Sequence, residues 1–132
     1  MWHEALSENY FIKKLYDKVP ELHNVFIHDI HFEHEGEYLF VRFNLPRYAD
    51  NPPKKWMGGN YNYIIVEVGF FYIESIDIKM ISKGYFNGNI DISLDEDNFV
   101  HLNIEGSIRI HIKAKAGNIQ KVTAYSCSYE ED

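Results

Sequence analysis

The chain has 132 residues, 45% of them hydrophobic and 16% aromatic, so a single domain spanning 1–132 with one core is the natural expectation for a length of ~100–150 residues. Thirteen Lys and Arg against twenty Asp and Glu leave a formal charge of −7, which disfavours direct nucleic-acid binding because phosphate backbones need clustered cations. No apolar run approaches the ~20 residues of a membrane helix.

The opening Met1-Trp2-His3-Glu4 has neither a basic start nor an apolar stretch, so no signal peptide is visible and a cytoplasmic location is the expectation. A helix follows. Ser7 can cap it and Glu8 suits the positive end of its dipole, while Phe11, Ile12, Leu15, Tyr16 and Val19 recur at helical spacing. Lys13, Lys14 and Lys18 lie towards the negative end, and Pro20 stops it. This helix should pack on a sheet.

Strands then follow one another. His28, Ile30 and Phe32 alternate with Ile27, Asp29 and His31, and His34-Glu35-Gly36-Glu37 makes a hairpin to a strand over 38–45. A segment over 46–62, with Pro46, Pro52 and Pro53, separates this hairpin from a strand over 63–72 that is apolar on both faces except at Glu67. Separate strands are expected at 76–80, 90–95, 100–105, 108–115 and 119–125, each alternating apolar and polar. The punctuation between them is Gly84, Gly88, the acidic run Asp95-Glu96-Asp97, Gly106 and Gly117-Asn118. The fold class is thus α+β, mainly β: one N-terminal helix packed on a curled antiparallel sheet of about seven or eight strands, a meander or an open barrel. The acidic tail 130–132 should fray. The lone Cys127 cannot form an internal disulfide and fits a reducing compartment.

No catalytic constellation is assembled. His28, His31 and His34 are close in sequence, but His31 points away from the other two along a strand, and no cysteine pair or His-Glu-x-x-His pattern adds ligands. Asp91-x-Ser93-x-Asp95-x-Asp97 alternates like a calcium loop yet lacks its glycine and closing glutamate. Cys127 has no local nucleophile signature, Gly58-Gly59 lacks a phosphate-loop context, and Glu35 and Glu37 sit at a wet hairpin tip that blunts acid–base work. No enzyme, metal or cofactor is therefore expected. A surface that grips a partner is the better fit. The candidate contacts are the acidic hairpin Glu33, Glu35 and Glu37, the acidic turn Asp95, Glu96 and Asp97, and the long loop with Lys54, Lys55 and Trp56. Trp56 has two readings: an exposed interface anchor, or a plug folded back on the end of the sheet.

Several segments carry a family resemblance. They are Trp2 with residues 11–17 (Phe-Ile-Lys-Lys-Leu-Tyr-Asp), Val19-Pro20-Glu21-Leu22, Asn51-Pro52-Pro53-Lys54-Lys55-Trp56, and residues 114–122 (Ala-Lys-Ala-Gly-Asn-Ile-Gln-Lys-Val). In their order the sequence resembles the immunity protein 50 family of bacterial polymorphic toxin systems. The resemblance implies a small cytosolic, mainly β immunity protein that binds and neutralises a cognate protein toxin. It supplies no catalytic residues. A basic nuclease would be a natural target for an acidic inhibitor, which could mimic the charge of its substrate. The alternatives are a small-ligand carrier, since a curled sheet rich in Tyr and Phe can enclose a cavity, and a subunit of a larger complex.

Overall fold

Six antiparallel strands account for most of the chain: β1 Leu22–Glu33, β2 Tyr38–Asn44, β3 Tyr63–Met80, β4 Phe86–Leu94, β5 Val100–Gly106 and β6 Ile108–Tyr125. The architecture comes from a computed structural model that describes residues 1–126, so Cys127 and the tail 130–132 lie outside the described residues. Six strands replace the seven or eight expected, and the reason is local. Segments 63–72 and 76–80 are one strand of 18 residues, and 108–115 and 119–125 are another of 18 residues. The two long strands pair along their whole length, and bulges absorb the irregularities that looked like breaks. One bulge lies between Ile73 and Ser75, next to Tyr72 with its φ of +58°, and the other between Glu67 and Val68. Gly117 is not a turn residue. It lies within β6, where an added Cβ would stand 2.9 Å from Cδ2 of Leu6.

The strand order is β1-β2-β3-β6-β5-β4, and β4 returns to β1, so the chain of pairings forms a ring. Two three-stranded meanders, β1-β2-β3 and β4-β5-β6, are joined through β3 and β6, which replaces the single meander expected. Closure is carried by a short stretch of β1, from Leu22 to Ile27, against β4 from Phe86 to Ile90. Among the described residues, β1 beyond Asp29 pairs with β2 alone and β3 beyond Ile73 pairs with β6 alone. The result is a curled sheet with a seam rather than a clear barrel.

The inner face is filled by side chains. Phe43, Phe70, Leu39, Ile64, Leu102, Ile104, Ile110 and Ile112 are all fully buried. The N-terminal segment adds Trp2, Leu6, Ile12, Leu15, Tyr16 and Val19 to the same core. The Trp2 indole stands edge-on to Phe43 at 6.0 Å and donates to the Pro20 carbonyl at 2.9 Å.

The helix, α1, is shorter than its apolar stripe suggested and covers only Tyr10–Leu15. Ser7 does not cap it, because its backbone forms a bridge to β6 through Gly117 and Ile119. Glu8 then turns left-handed with φ +60°, and Asn9 takes the N-cap position, its amide donating to the carbonyls of His3 and Leu6. At the other end, Asn51 N–H donates to the Leu15 carbonyl at 2.9 Å, and Tyr16 is extended. Tertiary hydrogen bonds replace helical ones at both ends.

Candidate partner-binding site

The acidic hairpin forms as expected. After β1, residues 34–36 make a short 3-10 turn in which His34, Glu35 and Gly36 all have positive φ. Glu33, Glu35 and Glu37 are exposed around it. His31 and His34 are engaged locally, His31 with the Glu33 carboxylate at 3.1 Å and His34 edge-on to Tyr38 at 5.0 Å. His28 bonds the Asn44 side chain at 2.6 Å.

Below the tip, the outer face of β1, β2, β3 and β6 carries a groove of about 610 Å³ lined by Asp29, His31, Glu33, Phe40, Arg42, Glu67 and Gln120. Its construction is readable from the register. Asp29 stands opposite Arg42, Arg42 opposite Glu67, and Glu67 opposite Lys121, so charges alternate across four neighbouring strands. Arg42 donates to the Asp29 carboxylate at 2.9 Å. Gly69, beside the groove, is itself buried beneath neighbouring side chains. A Cβ there would meet Phe40 Cε1 at 2.9 Å and Gln120 Nε2 and Phe71 Cζ at 3.0 Å. Between groove and tip lies an aromatic strip, with Tyr38 at 5.2 Å from Phe71 and 6.0 Å from Tyr72, and Phe40 at 5.9 Å from Phe71. Aromatic side chains are enriched at the centres of protein interfaces, and polar groups at their rims.

The acidic turn is built differently. Asp95 Oδ1 accepts the backbone N–H groups of Asp97 and Phe99, at 2.9 and 3.0 Å, so the carboxylate organises its own turn. Its other oxygen meets His101 Nε2 at 2.8 Å, and His101 stacks on His111 with ring centroids 5.5 Å apart. The hydrogen bond to His101 is the main reason that the Asp95 carboxyl is held below the usual carboxylate range. Glu96 and Asp97 remain exposed.

The long loop is latched rather than free. Tyr16 Oη donates to the Arg47 carbonyl at 2.6 Å, Arg47 donates to the Lys18 carbonyl at 2.9 Å, and Asp50 accepts the Asp17 N–H at 3.0 Å. Trp56 is buried, edge-on to Phe11 at 5.5 Å and against Tyr48 at 6.4 Å. Of the two readings of this side chain, the plug matches its burial. Lys54 and Lys55 are exposed, with the Lys55 ammonium 5.5 Å over the Phe11 ring.

The three candidate segments do not form one surface. The hairpin tip lies at the start of β2 and the loop with Lys54, Lys55 and Trp56 follows its end, a strand's length away. The acidic turn is nearer the tip. One lateral row runs from Val100 to Ala114 to Ile73, and Ile73 N–H reaches the Glu37 carbonyl. Asp29, Arg42, Gly69 and the aromatic strip were not singled out from the sequence. The one signal was Glu67, the charged exception on an otherwise apolar strand.

Fold and groove together define the class: a small, mainly β protein with a groove on its outer face in which carboxylates outnumber cations. The chain belongs to the Immunity protein 50 family, whose family model matches residues 8–125. In fold it is similar to an uncharacterized protein from Neisseria gonorrhoeae known from a crystal structure, with a TM-score of 0.51 and 17% identity over 76% of this chain and 93% of that one. No curated protein matches.

Proposed function

We propose that this chain is a cytoplasmic immunity protein that binds a cognate bacterial toxin and neutralises it without chemistry. Membership of the Immunity protein 50 family over residues 8–125 is the observation that carries this reading. The groove supports it physically. Among its lining residues three carboxylates (Asp29, Glu33 and Glu67) outnumber one guanidinium (Arg42) beside the ring of Phe40, which suits a cationic partner. With Glu35 and Glu37 above the groove, a basic toxin such as a nuclease is the partner class that the charge fits best. The ligand-carrier reading finds less support, because the inner face is occupied by core side chains.

The test is co-expression with the toxin encoded alongside this chain. Growth should be restored when this protein is present and lost when it is omitted. Continued growth arrest despite soluble immunity protein would remove the proposal. The basic-toxin refinement has its own readout: affinity should fall steeply between low and physiological salt. A flat response would eliminate charge-led recognition and leave an apolar interface.

A further inference from the structure

The far half of β3 leaves the protein with an unpaired edge. Beyond the bulge at Ile73, the segment from Ser75 to Met80 pairs with β6 and, among the described residues, has no strand on its other side. Such an edge offers a row of unsatisfied backbone groups to any strand that can lie beside it. Which groups it offers follows from parity. Ile73 N–H donates to the Glu37 carbonyl on the β2 side, and the bulge at Glu74 shifts the alternation by one, so from Ser75 to Lys79 the odd-numbered residues face β6. The N–H and C=O of Ile76, Ile78 and Met80 therefore point outward to the free edge.

The side chains of the same three residues are anomalous. They stand opposite Ile112, Ile110 and Ile108, all buried, and so lie on the core face of the sheet. Yet Ile76, Ile78 and Met80 are 43%, 40% and 59% exposed. The core face simply runs out at this edge, with three large apolar side chains left uncovered. On the opposite face, Asp77 and Lys79 alternate with them. Neither has an ion-pair partner among the described residues, and Lys79 stands opposite another cation, Arg109.

This pattern is its own complement. Lay a second copy antiparallel along the edge, with the two-fold axis at Ile78. Ile78 then opposes Ile78 of the other copy, and Ile76 opposes Met80. These are the residues whose backbone groups point outward, so the hydrogen-bonding parity is correct. Asp77 opposes Lys79 twice, once on each side of the axis, and each exposed charge gains its counterpart. We infer that this chain forms a symmetric dimer in which residues 75–81 of two copies pair edge to edge about Ile78, continuing the sheet across the interface. The groove lined by Phe40, Arg42 and Glu67 lies on the other side of the bulge, so the dimer leaves it accessible.

The test uses the purified chain alone and is independent of any toxin. Sedimentation equilibrium should give twice the 15.6 kDa chain mass. Asp77→Lys alone and Lys79→Asp alone each place like charges opposite one another, and each should raise the dimer dissociation constant at least tenfold. The double variant Asp77→Lys/Lys79→Asp restores opposite charges and should restore the dimer. Ile78→Pro removes an outward N–H without touching the β6 ladder and should give a folded monomer, recognised by an unchanged far-ultraviolet circular dichroism spectrum. A monomeric wild-type chain at high micromolar concentration overturns the inference. So does a dimer indifferent to the single charge reversals, or a double variant as monomeric as either single one. An edge that pairs only with a toxin strand would appear as the first of these results.

Discussion

At Gly69 the absence of one carbon lets Phe40, Phe71 and Gln120 close over β3 beside the groove. Alanine there would press on Phe40, Phe71 and Gln120 at 2.9–3.0 Å. All three contacts are with the far ends of side chains, which can give way, so Gly69→Ala should cost only about 1 kcal/mol of stability. Phe40 and Gln120 line the groove, so the same displacement reshapes it, and on the proposed function toxin affinity should fall at least tenfold. Urea unfolding and titration calorimetry on the same variant separate the two effects. An unaltered affinity would move the interface away from β3.

Asp95 makes a second prediction at this scale. Its carboxyl lies below its ordinary value of 3.8, through the hydrogen bond from His101 and the N–H groups of Phe99 and Asp97. A depressed acid stabilises the folded state above its unfolded value and loses that contribution as pH falls through the folded one. The thermal midpoint of the wild-type chain should therefore exceed that of Asp95→Asn at pH 5, and the margin should shrink below pH 4. A pH-independent margin would mean that the turn needs the shape of the side chain and not its charge. The acidic run Asp95-Glu96-Asp97 marked a turn at the end of the strand over 90–95 directly from sequence. His101 and His111 were not legible there, because only the pairing of β5 with β6 brings their rings together.

At the scale of elements, the sequence located nearly every strand but miscounted them. Ser75 in β3 and Gly117-Asn118 in β6 interrupt the alternation, and an interruption reads the same whether the chain turns or bulges. Only the partner strand decides. Here β3 and β6 go on pairing past both irregularities, with a shift of register at each bulge. The helix failed for the opposite reason: the periodicity from Phe11 to Val19 is real and buries the right side chains, but a bridge at Ser7 and a bond at Leu15 trim its backbone. The loop over 46–62 shows how a sequence ambiguity becomes a measurable one. Trp56 packs on Phe11 and Tyr48, so Trp56→Ala should cost about 3 kcal/mol of stability. Lys54→Ala and Lys55→Ala should change stability by less than about 0.5 kcal/mol. Denaturant midpoints check all three. A Trp56→Ala variant as stable as the wild type would return this side chain to the exposed anchor role.

For the whole molecule, −7 of net charge is distributed unevenly. Carboxylates gather at the hairpin tip, the groove rim and the 95–97 turn, while Lys54 and Lys55 sit at the far end of β2. An inhibitor working by complementarity needs that asymmetry and a rigid frame to display it, and the filled inner face supplies the frame. The acidic balance was visible in composition, and the family in the order of its segments. The groove was not, since it exists only where four strands lie side by side. The proposed binding without turnover makes a numerical demand: each molecule should silence one toxin and no more. The direct measurement is a titration of the toxin's activity with purified immunity protein at concentrations far above the dissociation constant. Activity should fall linearly and vanish at one chain per toxin. Complete silencing by a small fraction of an equivalent would reveal a catalyst, and undiminished activity at excess would reveal no inhibitor at all.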